Sequence, residues 1–266
     1  MTTTPTVLKP VGTTPRGLGV TRRRDRWWVA PTVQGILFTV CATYLFFSGI
    51  VWNPIFETPY EVDGYLSPLF SPLLFPDQLP RIISPGLLIL WVPLGFRATC
   101  YYYRKAYYRF YFVDPPGCAV GEPELHRRYA LETAFPFILQ NIHRYFLYLA
   151  FIPLTFLWID AFLAVFGQPG TPVRLGLGGV LFFVNVTLLT GYSLSCHSLR
   201  HIVGGRLDCF SCTRYQQVRH GIWGRITALN RHHMAWAWAS LISVTLADVY
   251  VRLLALGLVT DPAIRL

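Results

Sequence analysis

The sequence predicts an all-α membrane protein, a bundle of five transmembrane helices with a cytoplasmic amino terminus and a carboxyl terminus outside. Of its 266 residues, 53% are hydrophobic and only 14% are charged, a balance that soluble domains rarely show. Five apolar stretches are long enough to cross a hydrocarbon core of about 30 Å. The basic residues gather in alternate connections, as they do in membrane proteins of fixed orientation.

The five predicted spans cover residues 31–52, 84–100, 135–166, 173–203 and 233–258. The second span continues into an aromatic and basic extension, YYYRKAYYRFYF. Residues 53–84 are rich in proline and acids, which predicts a long loop. Residues 1–30 are predicted to form a flexible basic tail. The predicted five-helix membrane domain comprises residues 31–266.

Lysine and arginine set the predicted orientation. Of the 23 basic residues, 18 fall in three segments, residues 1–30, 97–128 and 200–231. Such segments stay in the cytoplasm. The net charge of +10 therefore reflects membrane topology and does not indicate a nucleic-acid partner. The chain is predicted to be a multi-pass protein of the cell's inner (plasma) membrane.

The segment SLSCHSLRHIVGGRLDCFSC, residues 193–212, holds three cysteines and two histidines at the end of the fourth span. His197 and His201 are four residues apart, so they share a helix face and can bind one metal ion or one iron of a cluster. Cys209 and Cys212 form a CxxC motif. Together they suit a closed zinc site, or a two-iron cluster with the cysteines on one iron and the histidines on the other.

Two further features carry chemistry. Cys100 ends the second span and Cys118 follows the turn DPPG, which makes a second pair of cysteines available near the same membrane face. His143 and Arg144 lie about two turns inside the third span. Placing an ionisable side chain inside the membrane costs free energy. Such residues are therefore expected to pair with another group, to serve a function, or to extend their charged ends to the membrane interface.

Several segments resemble the membrane subunit of the actinobacterial-type succinate dehydrogenases, a class of respiratory complex II: TCYYYRKAYYRFYF, PPGCAVGEP, QNIHRYFLY, SCHSLRHIVGG and NRHHMAWAWASLISVTLADVYVRL. The resemblance implies an anchor that docks a flavoprotein subunit and an iron-sulfur subunit on the cytoplasmic side. It also implies a membrane-embedded Rieske-type [2Fe-2S] cluster, without haem, that passes electrons to quinone.

The resemblance also implies site residues. CHSLRHIVGG makes His197 and His201 the first candidates for the imidazole ligands, and His143 can replace one of them. TCYYYRKAYYR and PPGCAV place Cys100 and Cys118 ahead of the remaining candidate thiolates, Cys196, Cys209 and Cys212. The candidates for the quinone site are His143, Arg144, Trp223 and His233. No flavin motif is seen, so succinate oxidation is expected on another chain and no catalytic residue is assigned here.

Two other functions remain open at this stage. A subunit that binds haem b needs axial histidines from different helices, for example His143 facing His197 or His201. A membrane scaffold or transporter would hold structural zinc on the CxxC and HxxxH motifs. The three alternatives differ in metal content: non-haem iron with sulfide, haem iron, or zinc.

Overall fold

Long apolar helices make up most of the computed structural model, which describes residues 25–112, 137–167, 173–205 and 208–265. Within these ranges four helices are long and apolar enough to cross a membrane, Val29–Phe56, Ile138–Phe166, Leu177–Leu194 and His233–Ala255. The prediction of a mostly helical membrane protein is confirmed in this form. The count of five spans and the orientation of the termini stay predictions.

The first long helix is not uniform. It comprises α1, Val29–Phe46, a π-helical turn, Phe47–Val51, and α2, Trp52–Phe56. A short antiparallel hairpin follows, formed by β1, Glu61–Val62, and β2, Tyr65–Leu66. The stretch predicted as one long loop therefore contains this β-hairpin and a short 3₁₀ helix, Pro68–Phe70.

The second predicted span is shorter than the sequence suggests. Helix α3, Leu87–Ala98, has 12 residues and contains Pro93, so it is only about 18 Å long. The chain takes an extended conformation at Cys100 and then starts a separate helix, α4, Tyr101–Tyr111. The aromatic and basic extension is thus its own element.

Helices from the second half of the chain form the centre of the bundle. A 3₁₀ turn, Phe137–Ile142, leads into α5, His143–Phe166, which packs against α6, Leu177–Leu194. Helix α6 also packs along α9, His233–Ala255.

Shorter elements flank these helices. The fourth predicted span is divided, because β3, Arg174–Gly176, precedes α6 and a break at Cys196 separates it from α7, His197–Gly204. Helix α8, Arg214–Asn230, connects α7 to α9.

A buried carboxylate joins α9 to the first helix and the hairpin loop. Asp248 is fully buried and accepts hydrogen bonds from Tyr44 at 2.8 Å, from Ser48 and from Ser67. The Arg252 guanidinium lies 3.6 Å from the same carboxylate. Because a buried charge needs such partners, this network fixes the end of α9 that lies farthest from His233.

A second carboxylate holds the carboxyl-terminal strand, β4, Ala263–Arg265, which pairs with β3. Asp261 accepts hydrogen bonds from Tyr65 at 2.7 Å and from Tyr250 at 2.6 Å, and lies 3.2 Å from Arg174. Burial alone would raise the pKa of Asp261, but the two tyrosine hydroxyls and the nearby guanidinium hold it below its ordinary value. The carboxylate is therefore ionised and ties the strand pair to the helices.

Candidate metal centre

Two breaks in the helices place two cysteines inside the bundle. Cys100 separates α3 from α4 and Cys196 separates α6 from α7, and both residues have extended backbone angles at the helix start. Each is only 1% exposed. The backbone N–H groups of Arg104 and Arg200, four residues later, donate to their carbonyls. The two breaks therefore have the same local design.

A histidine faces each of these sulfurs. His143 begins α5, and its Nε2 lies 3.2 Å from the Cys196 sulfur. His233 begins α9, and its Nε2 lies 3.8 Å from the Cys100 sulfur. The four side chains come from the ends of four helices and form two Cys–His pairs.

A hydroxyl group orients each imidazole. Thr99 Oγ1 lies 2.8 Å from Nδ1 of His143, and Ser195 Oγ lies 2.6 Å from Nδ1 of His233. Each hydroxyl donates its own proton to a backbone carbonyl on the preceding turn, at 2.7 and 3.1 Å. It therefore accepts from the imidazole, so the proton lies on Nδ1 and the Nε2 lone pair points at the sulfur.

Aromatic rings cover the two imidazoles. Phe96 stacks on His143 with centroids 4.7 Å apart and planes 10° apart. Tyr192 stacks on His233 at 5.2 Å and 12°. Both rings are buried, so they lock the imidazole planes and exclude water from the centre.

The protonation of the Cys196 thiol depends on whether a metal ion is bound. Cys196 lies between the spanning helix α6 and α7, and burial raises the pKa of its thiol to about 11, against the lowering effect of the Ser198 and Leu199 N–H groups. The free thiol therefore keeps its proton at neutral pH. A metal ion bound here would displace this proton, and the N-terminus of α7 would then stabilise the thiolate.

The four side chains offer two sulfurs and two imidazole nitrogens. Among the described residues, no group of three or more His, Cys, Asp or Glu side chains is placed to hold a metal ion. Two thiolates and two neutral imidazoles are the donor set of an imidazole-ligated [2Fe-2S] centre. Buried sulfurs, fixed tautomers and dry aromatic walls are also what such a centre needs around its ligands.

The histidines of the HxxxH motif lie elsewhere. His197 and His201 are exposed on α7, with their Nε2 atoms 3.0 Å apart. Cys209 and Cys212 are joined to each other by a disulfide bond. The structure brings neither pair together with Cys100, and Cys118 lies outside the described residues.

The four residues predicted to bind quinone are also separated. His143 and His233 belong to the two Cys–His pairs, whereas Arg144 is exposed. Trp223 lies on α8 under the Arg200 guanidinium, 4.8 Å from its ring centroid.

Sequence reasoning did not single out the two orienting hydroxyls. Thr99 and Ser195 each directly precede a cysteine at a helix break, so the repeated pair of a hydroxyl residue and cysteine is the signal that identifies them. It also did not single out Arg97, whose guanidinium lies 5.0 Å from the centroid of Tyr192.

Comparison with known proteins identifies the family of this chain. The family model described as actinobacterial succinate dehydrogenase subunit SdhC matches residues 31–257. The chain belongs to this family. It is therefore a membrane subunit of a succinate dehydrogenase complex, a succinate:quinone oxidoreductase, and the resemblance seen in the sequence is confirmed.

A solved structure of similar sequence supports the same assignment. A chain of the Mycobacterium smegmatis Sdh1 complex in the apo form is 39% identical to this SdhC-family chain, with a TM-score of 0.76. The match covers 91% of this chain and 92% of the other. No functionally curated protein matches the sequence.

Proposed function

We propose that this SdhC-family subunit binds a [2Fe-2S] cluster through Cys100, Cys196, His143 and His233 and passes electrons from its partner subunits to membrane quinone. The observation that carries the proposal is the pair of Cys–His contacts, each to a buried sulfur, in which both imidazoles present Nε2 to the sulfur. Such a ligand set is typical of a Rieske-type centre.

The two-iron cluster would accept and release one electron at a time, at a potential of roughly −150 to +300 mV, against about −400 mV for all-cysteine clusters of the plant type. The protein holds the ligands in place. Thr99 and Ser195 keep the imidazole tautomers, and the helix starts at Cys100 and Cys196 direct backbone N–H groups toward the sulfurs. Phe96 and Tyr192 keep water away.

This ligand set differs from the one that the sequence favoured. His197 and His201 share a helix face as expected, but that face is exposed and has no buried cysteine against it in the described chain. We therefore assign the imidazoles to His143 and His233. Cys196 takes the place given to Cys118, Cys209 or Cys212.

The remaining parts of the proposal concern assembly. We propose that a flavoprotein subunit oxidises succinate and an iron-sulfur subunit delivers the electrons, both docked near the start of α4 and α7, in the plasma membrane. Exposed arginines on α8, among them Arg214 and Arg225, supply positive charge for acidic partners beside the centre.

The test compares two pairs of histidine substitutions in the assembled complex. His143→Ala and His233→Ala are expected to abolish succinate-dependent quinone reduction and the EPR signal of an imidazole-ligated [2Fe-2S] centre, while reduction of a soluble dye by succinate continues. His197→Ala and His201→Ala are matched controls and retain both quinone reduction and the signal. The reverse pattern would refute the ligand assignment.

Metal analysis of the same complex decides between the cluster and its alternatives. Non-haem iron with acid-labile sulfide supports the proposal. A haem absorption band that is lost with His143→Ala would identify a cytochrome subunit instead. Zinc without iron in the membrane subunit would identify a structural site and contradict electron transfer.

A further inference from the structure

Two histidines on the surface of α7 form a pair of their own. His197 and His201 are both exposed and come from the HxxxH motif at the end of the fourth predicted span. Their separation of four residues places them on one face of the helix. The ligand set proposed for the cluster uses neither of them, so both imidazoles are available for other chemistry.

The two imidazoles point at each other. The Nε2 atoms of His197 and His201 are 3.0 Å apart, and the ring planes are inclined by 80° with their centroids 4.6 Å apart. Two lone pairs facing each other at this distance would repel, so one nitrogen carries a proton and donates it to the other. The two nitrogens therefore converge on one position that a proton or a metal ion can fill.

The distance between the nitrogens suits two ligands of one metal ion. An ion bound at about 2.0–2.1 Å to both nitrogens holds them roughly 2.9 Å apart at a right angle and roughly 3.3 Å apart at a tetrahedral angle. The observed 3.0 Å lies between these values. Small rotations of the two exposed rings are enough to reach either geometry.

Helix α7 is attached to α8 on both sides of the pair. Arg219 of α8 donates to the carbonyl of Val203 at 2.7 Å. Arg200 of α7 donates to the Thr227 hydroxyl of α8 at 3.0 Å, and its guanidinium lies 4.8 Å from the centroid of Trp223. These contacts hold the Arg200 side chain on α8 and fix the backbone that carries the two imidazoles. Ligands on a fixed backbone lose little conformational freedom when they bind.

Two imidazoles and water are the ligands available at this position. Among the described residues, no third His, Cys, Asp or Glu side chain joins the pair. Both rings are exposed, so water can fill the remaining positions around an ion. Imidazole nitrogens suit Zn²⁺, Cu²⁺ and Ni²⁺, whereas Mg²⁺ and Ca²⁺ take oxygen ligands. An ion with only two protein ligands exchanges readily with the solution.

We propose that His197 and His201 form a surface site for one exchangeable divalent transition metal ion of the Zn²⁺, Ni²⁺ and Cu²⁺ class, bound through both Nε2 atoms. The proton between the two nitrogens moves to Nδ1 of its own ring through water, so both Nε2 lone pairs face the ion. The site is additional to the proposed cluster and does not depend on it. The ion would link the two ends of the first turn of α7, which begins directly after Cys196.

The first test measures zinc binding by the assembled complex. Equilibrium dialysis with radiolabelled Zn²⁺ is expected to show an ion whose affinity falls at least about tenfold in His201→Ala, because losing even a residue that supports a ligand costs about 10- to 100-fold. His201→Cys supplies another zinc ligand at the same place and retains binding.

His220→Ala is the matched control for this test, because it removes an exposed histidine of the neighbouring helix α8. This variant is expected to bind zinc as the unaltered complex does. Equal zinc affinity in the unaltered complex and in His201→Ala would overturn the proposal, since the ion would then be held elsewhere, for example by the cysteines.

A second test uses the unaltered complex and decides the question even where His201→Ala prevents assembly. Diethyl pyrocarbonate modifies accessible neutral imidazoles, and mass spectrometry of the digested subunit reports each histidine separately. Zn²⁺ is expected to slow the modification of His197 and His201 but not that of His220. The absence of protection by Zn²⁺ at His197 and His201 would refute the site.

The same measurements separate this inference from the proposed function. Zinc binding that His201→Ala weakens, in a complex without the cluster EPR signal, supports the surface site and refutes the cluster. A complex that shows the cluster signal, but whose zinc binding is unchanged by His201→Ala, refutes the surface site alone.

Discussion

The orientation of the two imidazoles depends on two hydroxyl groups at the residue scale. Thr99 and Ser195 each donate to the preceding helical turn and so act only as acceptors toward His143 and His233. A ligand histidine whose other nitrogen is held in this way keeps one tautomer and one ring plane. The hydroxyls are thus positioning residues for the metal centre.

Replacing one of these hydroxyls should weaken metal binding without removing a ligand. Thr99→Val leaves Nδ1 of His143 without its acceptor, and loss of such a partner usually lowers metal affinity about 10- to 100-fold. We expect the assembled complex to lose iron faster in the presence of a chelator, measured by the decay of the cluster EPR signal.

Thr155→Val is the control for this substitution. Thr155 is exposed on α5 and its hydroxyl donates to the carbonyl of Phe151 at 2.8 Å, as Thr99 does to its own helix. No imidazole of the part of the chain that the structure describes shares a hydrogen bond with it. If the two variants lose iron at the same rate, Thr99 does not position a ligand.

The sequence identified all four proposed ligands as chemically important, but not their grouping. Cys100 and Cys196 are candidate thiolates in the sequence. His143 is both an alternative imidazole ligand and a candidate quinone residue, and His233 is a candidate quinone residue. Spacing along a helix favoured His197 with His201, because a four-residue separation is visible in a sequence. A contact between α5 and the end of α6 depends on tertiary packing and leaves no local pattern.

At the scale of elements, the two helix breaks define the site. Neither break contains proline or glycine at the cysteine itself, so hydropathy predicts an uninterrupted span through residues 173–203. The structure instead ends α6 at Leu194 and starts α7 at His197. The breaks turn the side chains of the two cysteines toward the interior of the bundle. Each cysteine also directly precedes the first backbone N–H groups of a helix, α4 or α7.

Close packing of α6 against α9 sets the distance between these elements. A Cβ atom added to Gly191 would lie 2.5 Å from the Trp236 ring, and these residues are near Cys196 and His233 in sequence. Overpacking of this kind typically costs about 1–3 kcal/mol. We expect Gly191→Ala to lower both the Tm of the complex and its iron content.

Gly224→Ala serves as the comparison for this prediction. Apart from its chain neighbours and the backbone of its own helix, no heavy atom of the described residues lies within 4 Å of a Cβ placed at Gly224. On a helix the added methyl group is worth about 1 kcal/mol in stability. A Gly191→Ala complex with the Tm and iron content of the Gly224→Ala complex would show that this helix contact does not hold the centre.

At the scale of the whole molecule, α9 connects two regions with different tasks. His233 begins the helix at the metal centre, and Asp248 lies about 22 Å further along it, where it accepts three hydrogen bonds beside Arg252. One end of the bundle therefore carries the proposed chemistry, and the other carries the polar network that joins the first and last helices.

The mostly helical membrane architecture could be predicted from composition and hydropathy, because the length of an apolar stretch is a direct physical signal. The family could be recognised from its segments. The short second helix and the hairpin after the first helix could not be predicted, because each depends on how helices distant in sequence pack.

The measurement that tests the central claim most directly is pulsed EPR on the reduced, assembled complex containing ¹⁵N-labelled histidine. The account predicts a [2Fe-2S] signal from the membrane subunit with two strongly coupled imidazole nitrogens, both lost in a His143→Ala, His233→Ala double variant. A cluster signal without coupled histidine nitrogens, or no cluster signal from this subunit, would contradict it.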